Sequence, residues 1–297
     1  MLASVTGLFR RPQKPPGTAE AQRPDRAPPV PLAMPTGAPA RQGCPPEWMT
    51  VADALWGTGF DMPGGEEEVL RLAAPLGLSA ACSVLLVGCG AGGPARCLAE
   101  RLETWVHGFE HDPTLLAAAA RHCAAAGLGR RTRIEAWEPD APRFPARASH
   151  HGLALEPLRH GTAALVLPAV AAALRPGGGL VLVEVVAEAA APLAEWLRSE
   201  RRESPPTEAA ITEALEELGF DVRVVEDVTE RHVQLMVRGW RDLVEAMGGE
   251  RPTPSRAAPV VREAERWLRR ARLMRSGHVR LMRWHALGRE ATQSVIG

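Results

Sequence analysis

The stretch VLLVGCGAGGPARCL, Val84–Leu98, decides how the rest of the chain folds. Val84, Leu85, Leu86 and Val87 form an apolar run too short for a helix, and it ends in a cluster of glycines, Gly88, Gly90, Gly92 and Gly93. An Ala-rich segment with helical spacing follows, so the pattern predicts a buried strand, a tight turn and a helix start. Glycines let the turn take positive φ and let a ligand approach bare peptide groups. The first turn of the helix adds N–H donors that have no intrahelical partner. The turn is therefore a candidate nucleotide-binding site. Gly88, Gly90 and Gly93 satisfy G-x-G-x-x-G, the dinucleotide fingerprint, with Glu110 near the spacing at which an acid meets a ribose. The same residues also fit a second ligand class, and the choice falls to the rest of the chain.

Composition narrows that choice. The chain has 297 residues, enough for one large domain or two small ones, and a formal net charge of zero, which gives no support to nucleic-acid binding. Its five cysteines form no C-x-x-C pair, so neither a disulfide framework nor a metal site is predicted, and a reducing cytoplasm is the expected location. No apolar run approaches the roughly twenty residues of a membrane span, and Met1–Arg11 lacks the features of a secretory signal. The only lysine is Lys14 and there is no tyrosine. Schiff-base chemistry needs a lysine in a folded pocket and the P-loop needs one beside the phosphates, and Lys14 in a proline-rich tail offers neither; dehydrogenases built on a Tyr/Lys pair are disfavoured.

Outward from the glycine turn, residues 1–46 are rich in Pro, Ala and Arg without a hydrophobic period, and disorder is expected there. A folded domain is expected over 47–297, with cap helices over 47–80. Trp48, Val51, Leu55 and Trp56 mark one helix face. Glu66–Glu68 open a second helix, where negative charge suits the positive end of the helix dipole. Trp105–Glu110 reads as the second strand, and the helix behind it has Asp112 as N-cap and Pro113 in its first turn. Arg131–Trp137 and His150–Leu155 read as strands three and four, Thr162–Leu174 as an apolar helix, and PGGG followed by LVLVEVV as the entry to strand five. After a helix over Thr207–Leu218 and a sixth strand, two amphipathic helices over 230–276 precede a closing strand, His278–Leu287. The second of these helices carries arginine on its outer face. The fold class expected is α/β: a Rossmann-like, doubly wound, seven-stranded sheet with an N-terminal helical cap and a helical insertion before the last strand.

Three pieces in order, GCGAGG, GFEHDP and ALRPGGGLVLVE, together with the cap stretch LWGTGFDMPGGEE, resemble the class I S-adenosylmethionine (SAM) methyltransferases, and in particular the small-molecule enzymes of the phosphoethanolamine and sarcosine/dimethylglycine type. The resemblance implies SAM as cofactor, held by Gly65 of the cap, Gly88, Cys89, Gly90 and Gly92 of the turn, Glu110 and His111 at the second strand, and Asp140 with Ala141 beside the adenine, whose face Trp137 lines. It implies a small-molecule methyl acceptor with N, O or C as nucleophile. His160 is the candidate base, and Glu156 the candidate holder of a cationic amine. Two departures stand out. The family's acid two residues before the first glycine is Leu86 here, and its aspartate near the start of strand four is missing from His150–Gly152. They keep a second reading open, a binding or scaffold protein of the same fold that has lost catalysis.

Overall fold

A strand covered on both faces needs a continuous apolar run, because every side chain meets a helix layer. Val84 to Val87 meet that condition: in β1 (Ser83–Val87) they are at most 1% exposed. A computed structural model describes residues 46–188, 191–248 and 254–289. The disordered tail expected over residues 1–46 lies outside the described residues except for Pro46 at its end.

Two helices precede β1, α1 (Glu47–Trp56) and α2 (Gly65–Ala73). After it come α3 (Gly93–Arg101), β2 (Trp105–Glu110), α4 (Pro113–Ala125), β3 (Thr132–Ala136), β4 (His151–Leu155), α5 (Ala163–Ala173) and β5 (Gly179–Ala187). The last third comprises α6 (Ala194–Glu200), α7 (Glu208–Glu217), β6 (Phe220–Asp227), α8 (Thr229–Ala246), α9 (Pro254–Arg275) and β7 (Val279–Gly288). The seven strands form one sheet in the order β3-β2-β1-β4-β5-β7-β6. β7 runs antiparallel to β5 and β6, and the other neighbours are parallel. This is the doubly wound sheet expected from the sequence, with the helical cap in front and two helices inserted before the final strand.

Side chains alternate across a strand, so β1 feeds two cores. Val84 and Leu86 pack with Leu72 of α2, Leu98 of α3 and Cys123 of α4, whereas Leu85 and Val87 pack with Val166 and Val170 of α5 and Ile211 of α7. The strand order turns back between β1 and β4, which opens a crevice at their carboxyl ends where ligands bind in such sheets. Over that crevice the cap and the insertion meet. Trp56 of α1 stands edge-on to Trp267 of α9, ring centroids 5.4 Å apart, and a Cβ added to Gly239 of α8 would lie 2.2 Å from the Trp56 ring.

Three local features are not visible in the sequence pattern. Helix α6 was not legible in the sequence: one tryptophan, Trp196, and a charged residue, Glu200, make its buried side, which a hydrophobic stripe does not reveal. Glu68 is not a surface acid at a helix start. It is buried, accepting from Arg71 Nη2 at 2.7 Å and from Arg231 Nε of α8 at 2.7 Å, so it ties cap to insertion. The arginine face of α9 is also not all solvated, since Arg270 is 4% exposed.

Candidate active site

The glycine turn sits at the carboxyl end of β1, and its geometry separates the residues that shape it from the one that faces outward. Gly88 has φ of 78° and donates to Phe109 O at 3.0 Å, and a Cβ on it would lie 2.2 Å from Leu155 O. Cys89 N–H donates to the same carbonyl at 3.3 Å, and the Cys89 thiol packs against Gly108 of β2. Gly92 donates to Cys89 O at 3.0 Å and lies so close to Ala119 that a Cβ would be 2.8 Å from its Cα. Gly93 donates to Gly59 O of the cap at 2.8 Å. The N–H groups of Gly88, Cys89 and Gly92 are thus used within the fold, and that of Gly90 goes to the Glu110 carboxylate. Only at Gly90, φ 57°, does the bare side meet no backbone: a Cβ there would first encounter the Asp61 carboxylate, with Oδ1 at 2.9 Å. The cradle of the turn opens at Gly90.

Two expected effects follow. Gly88→Ala combines left-handed strain with a backbone clash, which predicts a loss of about 3 kcal/mol or more, read from urea unfolding. Gly90→Ala meets only a movable side chain, so the protein is expected to fold with a loss of about 1–2 kcal/mol and to lose its ligand, read by the same melt and by calorimetric titration.

Glu110 ends β2 and turns its carboxylate back to the turn. Its Oε2 accepts from Gly90 N at 2.8 Å, and its Oε1 accepts from His111 N at 2.9 Å and Asp112 N at 3.0 Å. A carboxylate offers about four lone-pair sites, so Oε2 keeps an acceptor position for a ligand hydroxyl. Burial raises the Glu110 carboxyl to about 7 against these three N–H groups, and the Asp61 charge adds to the rise. His111 follows, its ring 6.5 Å from Trp137 at the end of β3 and 5.2 Å from His160 beyond β4. Its Nδ1 is buried without a partner among the described residues. The carboxyl ends of three strands therefore converge on one rim. Trp137 is largely core, buried beside Phe144, with ring centroids 5.8 Å apart. Asp140 and Ala141 are exposed in the turn beyond it, where Ala141 N–H donates to Glu138 O. Gly65 has a packing duty, since a Cβ on it would lie 2.2 Å from Trp56 O.

The two residues expected to serve the acceptor have different surroundings. Burial, with Arg159 and His111 nearby, pulls His160 down to about 4, so its imidazole is neutral at pH 7. Glu156 does not stand free to hold an amine: Oε2 accepts from Arg202 Nη1 at 2.6 Å and Oε1 from Arg270 Nη2. Burial acts to raise its carboxyl, but Arg270 and Arg202 outweigh that and hold it well below the usual range. Arg202 also reaches Glu184 of β5, which accepts from Leu158 N at 2.7 Å and Val185 N at 2.8 Å and which burial drives up to about 7. None of Asp61, Glu184, Arg202 and Arg270 was singled out from the sequence. Asp61 alone had a local signal, an acid inside the glycine-rich cap. Among the described residues no group of three or more His, Cys, Asp or Glu is placed to hold a metal, and no helix is long and apolar enough to cross a membrane. Two surface depressions, one near Arg175 and Gly219 and one near Asp227 and Met274, lie away from the glycine turn.

Comparisons with known proteins agree with this architecture. Residues 84–178 match the family model described as a methyltransferase domain. No curated protein matches the chain. Among solved structures, the chain is similar to Haemonchus contortus phosphoethanolamine N-methyltransferase 2 in complex with phosphomonomethylethanolamine and S-adenosylhomocysteine, at 17% identity and a TM-score of 0.70, over 82% of this chain and 57% of that one. It therefore spans little more than half of that protein's length. A Galdieria sulphuraria protein assigned as a sarcosine dimethylglycine methyltransferase matches at 14% identity and a TM-score of 0.61, over 76% of this chain and 85% of that one. The [4+2]-cyclase SpnF matches at 22% identity and a TM-score of 0.61, over 76% and 82%. The chain has the class I methyltransferase fold.

Proposed function

We propose that this chain is a SAM-dependent methyltransferase that moves a methyl group to a nucleophilic N, O or C atom of a small molecule. The observation that carries the reading is Glu110. Its carboxylate closes the turn at Gly90 and keeps an acceptor position open at the one glycine of the turn whose bare side meets no backbone. The residues present suit an adenosyl group with a cationic arm: an acceptor for ribose hydroxyls at Glu110, a peptide without a side chain at Gly90, a His111 Nδ1 unpartnered among the described residues and a carboxyl group at Asp61. When bound, SAM would supply an electrophilic sulfonium methyl, which the nucleophile takes as the S–CH3 bond breaks and S-adenosylhomocysteine leaves.

Such a displacement asks the protein mainly for alignment and exclusion of water. The cap does both, because Gly59 is fixed from two sides: its N–H donates to Asp53 Oδ1 at 2.7 Å and its carbonyl accepts from Gly93 N at 2.8 Å. His160, neutral at pH 7, accepts a hydrogen bond from the acceptor's N–H or O–H and takes its proton as acidity develops, as a weak base. Glu156 acts on the site indirectly, by holding Arg202 and Arg270 in place.

The test is calorimetric titration of the full chain with SAM and S-adenosylhomocysteine, with NAD(H) fluorescence as the control for a dinucleotide. Saturable binding of both adenosyl ligands and none of NAD(H) is expected, and no binding at millimolar ligand would sink the proposal. The second reading, a fold that binds without methylating, draws on Leu86 in the core and on the engagement of Glu156 by arginines. Tight binding without turnover on a panel of small amines, phenols and acids would favour it.

A further inference from the structure

We infer that Asp61, on the cap between α1 and α2, supplies the carboxylate that holds the ammonium of the cofactor's amino-acid arm, a task that β1 has no acid to perform. The inference rests on the SAM reading and adds a residue to it. Its ground is placement. A Cβ built on Gly90 lies 2.9 Å from Asp61 Oδ1 and 3.4 Å from Oδ2, so the carboxylate stands directly over the bare peptide of the turn. The other turn glycines meet backbone: Leu155 O for Gly88, Ala119 Cα for Gly92 and Gly59 for Gly93. Asp61 thus marks the side from which a ligand reaches the turn.

The backbone that carries Asp61 is anchored. The Gly59 contacts to Asp53 and Gly93 pin the chain two residues before Asp61 to the start of α3. Asp61 is also electrostatically unsettled. Glu110 meets Gly90 from another direction through Oε2, so two carboxylates flank one glycine. Among the described residues Asp61 has no ion pair within 4 Å and no hydrogen bond to another side chain. Arg159 and Arg266 act on it only through space, and burial raises its carboxyl in spite of them. Two neighbouring carboxylates in a partly dry site repel each other, and a cation between them removes both the repulsion and the penalty of leaving each unpaired. Leu86, fully buried among apolar neighbours of α2 and α3, cannot supply that charge.

Two ligands that differ only in the arm test this on the full chain: S-adenosylhomocysteine, which carries the ammonium, and 5′-methylthioadenosine, which lacks the whole amino-acid portion. Asp61→Asn keeps the shape and removes the charge. It is expected to weaken S-adenosylhomocysteine about 10- to 100-fold by calorimetry and to leave methylthioadenosine within about twofold of wild type. Asp61→Ala should give the same split. Unchanged affinity for S-adenosylhomocysteine overturns the role of Asp61 alone. Equal losses on both ligands also overturn it, since Asp61 would then only shape the cap. A wild-type chain that binds neither ligand overturns the SAM reading as well.

Discussion

Glu110→Gln is expected to remove this carboxyl's share of the rise of adenosyl-ligand affinity with pH and to weaken binding at pH 8 by about 100-fold or more. The carboxylate spends three hydrogen bonds on the backbone of Gly90, His111 and Asp112 and keeps one acceptor position for the ligand. Glutamine has a single acceptor oxygen. Turned toward His111 and Asp112, it sets its NH2 against the Gly90 N–H, so the turn donor and the ligand hydroxyl both lose their acceptor. The pH dependence follows from the Glu110 carboxyl lying near 7, raised mainly by burial. A cationic ligand selects the ionised form, so wild-type affinity should fall about tenfold from pH 8 to pH 6, and the glutamine variant should show no such fall from this group. The free protein moves in the opposite sense. A carboxyl raised in the folded state contributes stability that is fully present below its ordinary value of 4.5 and is lost as pH rises through about 7, a difference of about 3 kcal/mol. Urea unfolding at pH 4 and pH 8 should show that component in the wild type and not in Glu110→Gln. Binding and stability thus make opposite demands on one side chain, as expected of a residue kept for its ligand.

What could be read from the sequence was local. Val84–Val87 followed by four glycines has one structural solution, and the elements predicted on either side of it, down to Asp112 capping α4 through Thr114 N and Leu115 N, appear in the fold. The same locality made Glu110 and Gly90 visible, because a strand end and the neighbouring turn are brought together by a single strand–helix–strand unit. Helix α6 and the buried sides of α2 and α9 were not legible. Hydrophobic periodicity treats Glu68, Glu200 and Arg270 as solvent-facing, whereas each is buried against a charge from another part of the chain. Arg202 and Glu156 are 46 residues apart, and Arg270 and Glu156 are 114 apart. No spacing rule links such positions. Asp61 lies between these cases: its cap was recognised as closing over the turn, but which cap residue meets Gly90 depends on the contact of Gly59 with Gly93.

The buried charge network leads to the second large effect. Glu156→Ala is expected to lower stability by about 3 kcal/mol, or about 6–12 °C in the melting temperature, before any effect on catalysis is measured. Glu156 has φ of 46°, a left-handed conformation unusual for a residue with a side chain, and strain of that kind persists only where the surroundings fix it. Here Arg202 and Arg270 do so, their side chains 1% and 5% exposed. Removing the carboxylate leaves two desolvated guanidinium groups short of charge. Arg202 keeps Glu184, but Arg270 keeps only Glu200, at 3.7 Å, which places the loss at the lower end of the range for broken buried pairs. Since Arg270 belongs to α9, the insertion should loosen first, detectable as faster amide exchange in α9 than in β1 or β4. Glu156→Gln retains one acceptor oxygen and should lose about half as much. An amine-holding Glu156 makes the opposite forecast, a raised KM for the acceptor with an unchanged melting temperature. A melt of Glu156→Ala within about 2 °C of wild type would return the residue to that role and overturn its place as the anchor of Arg202 and Arg270.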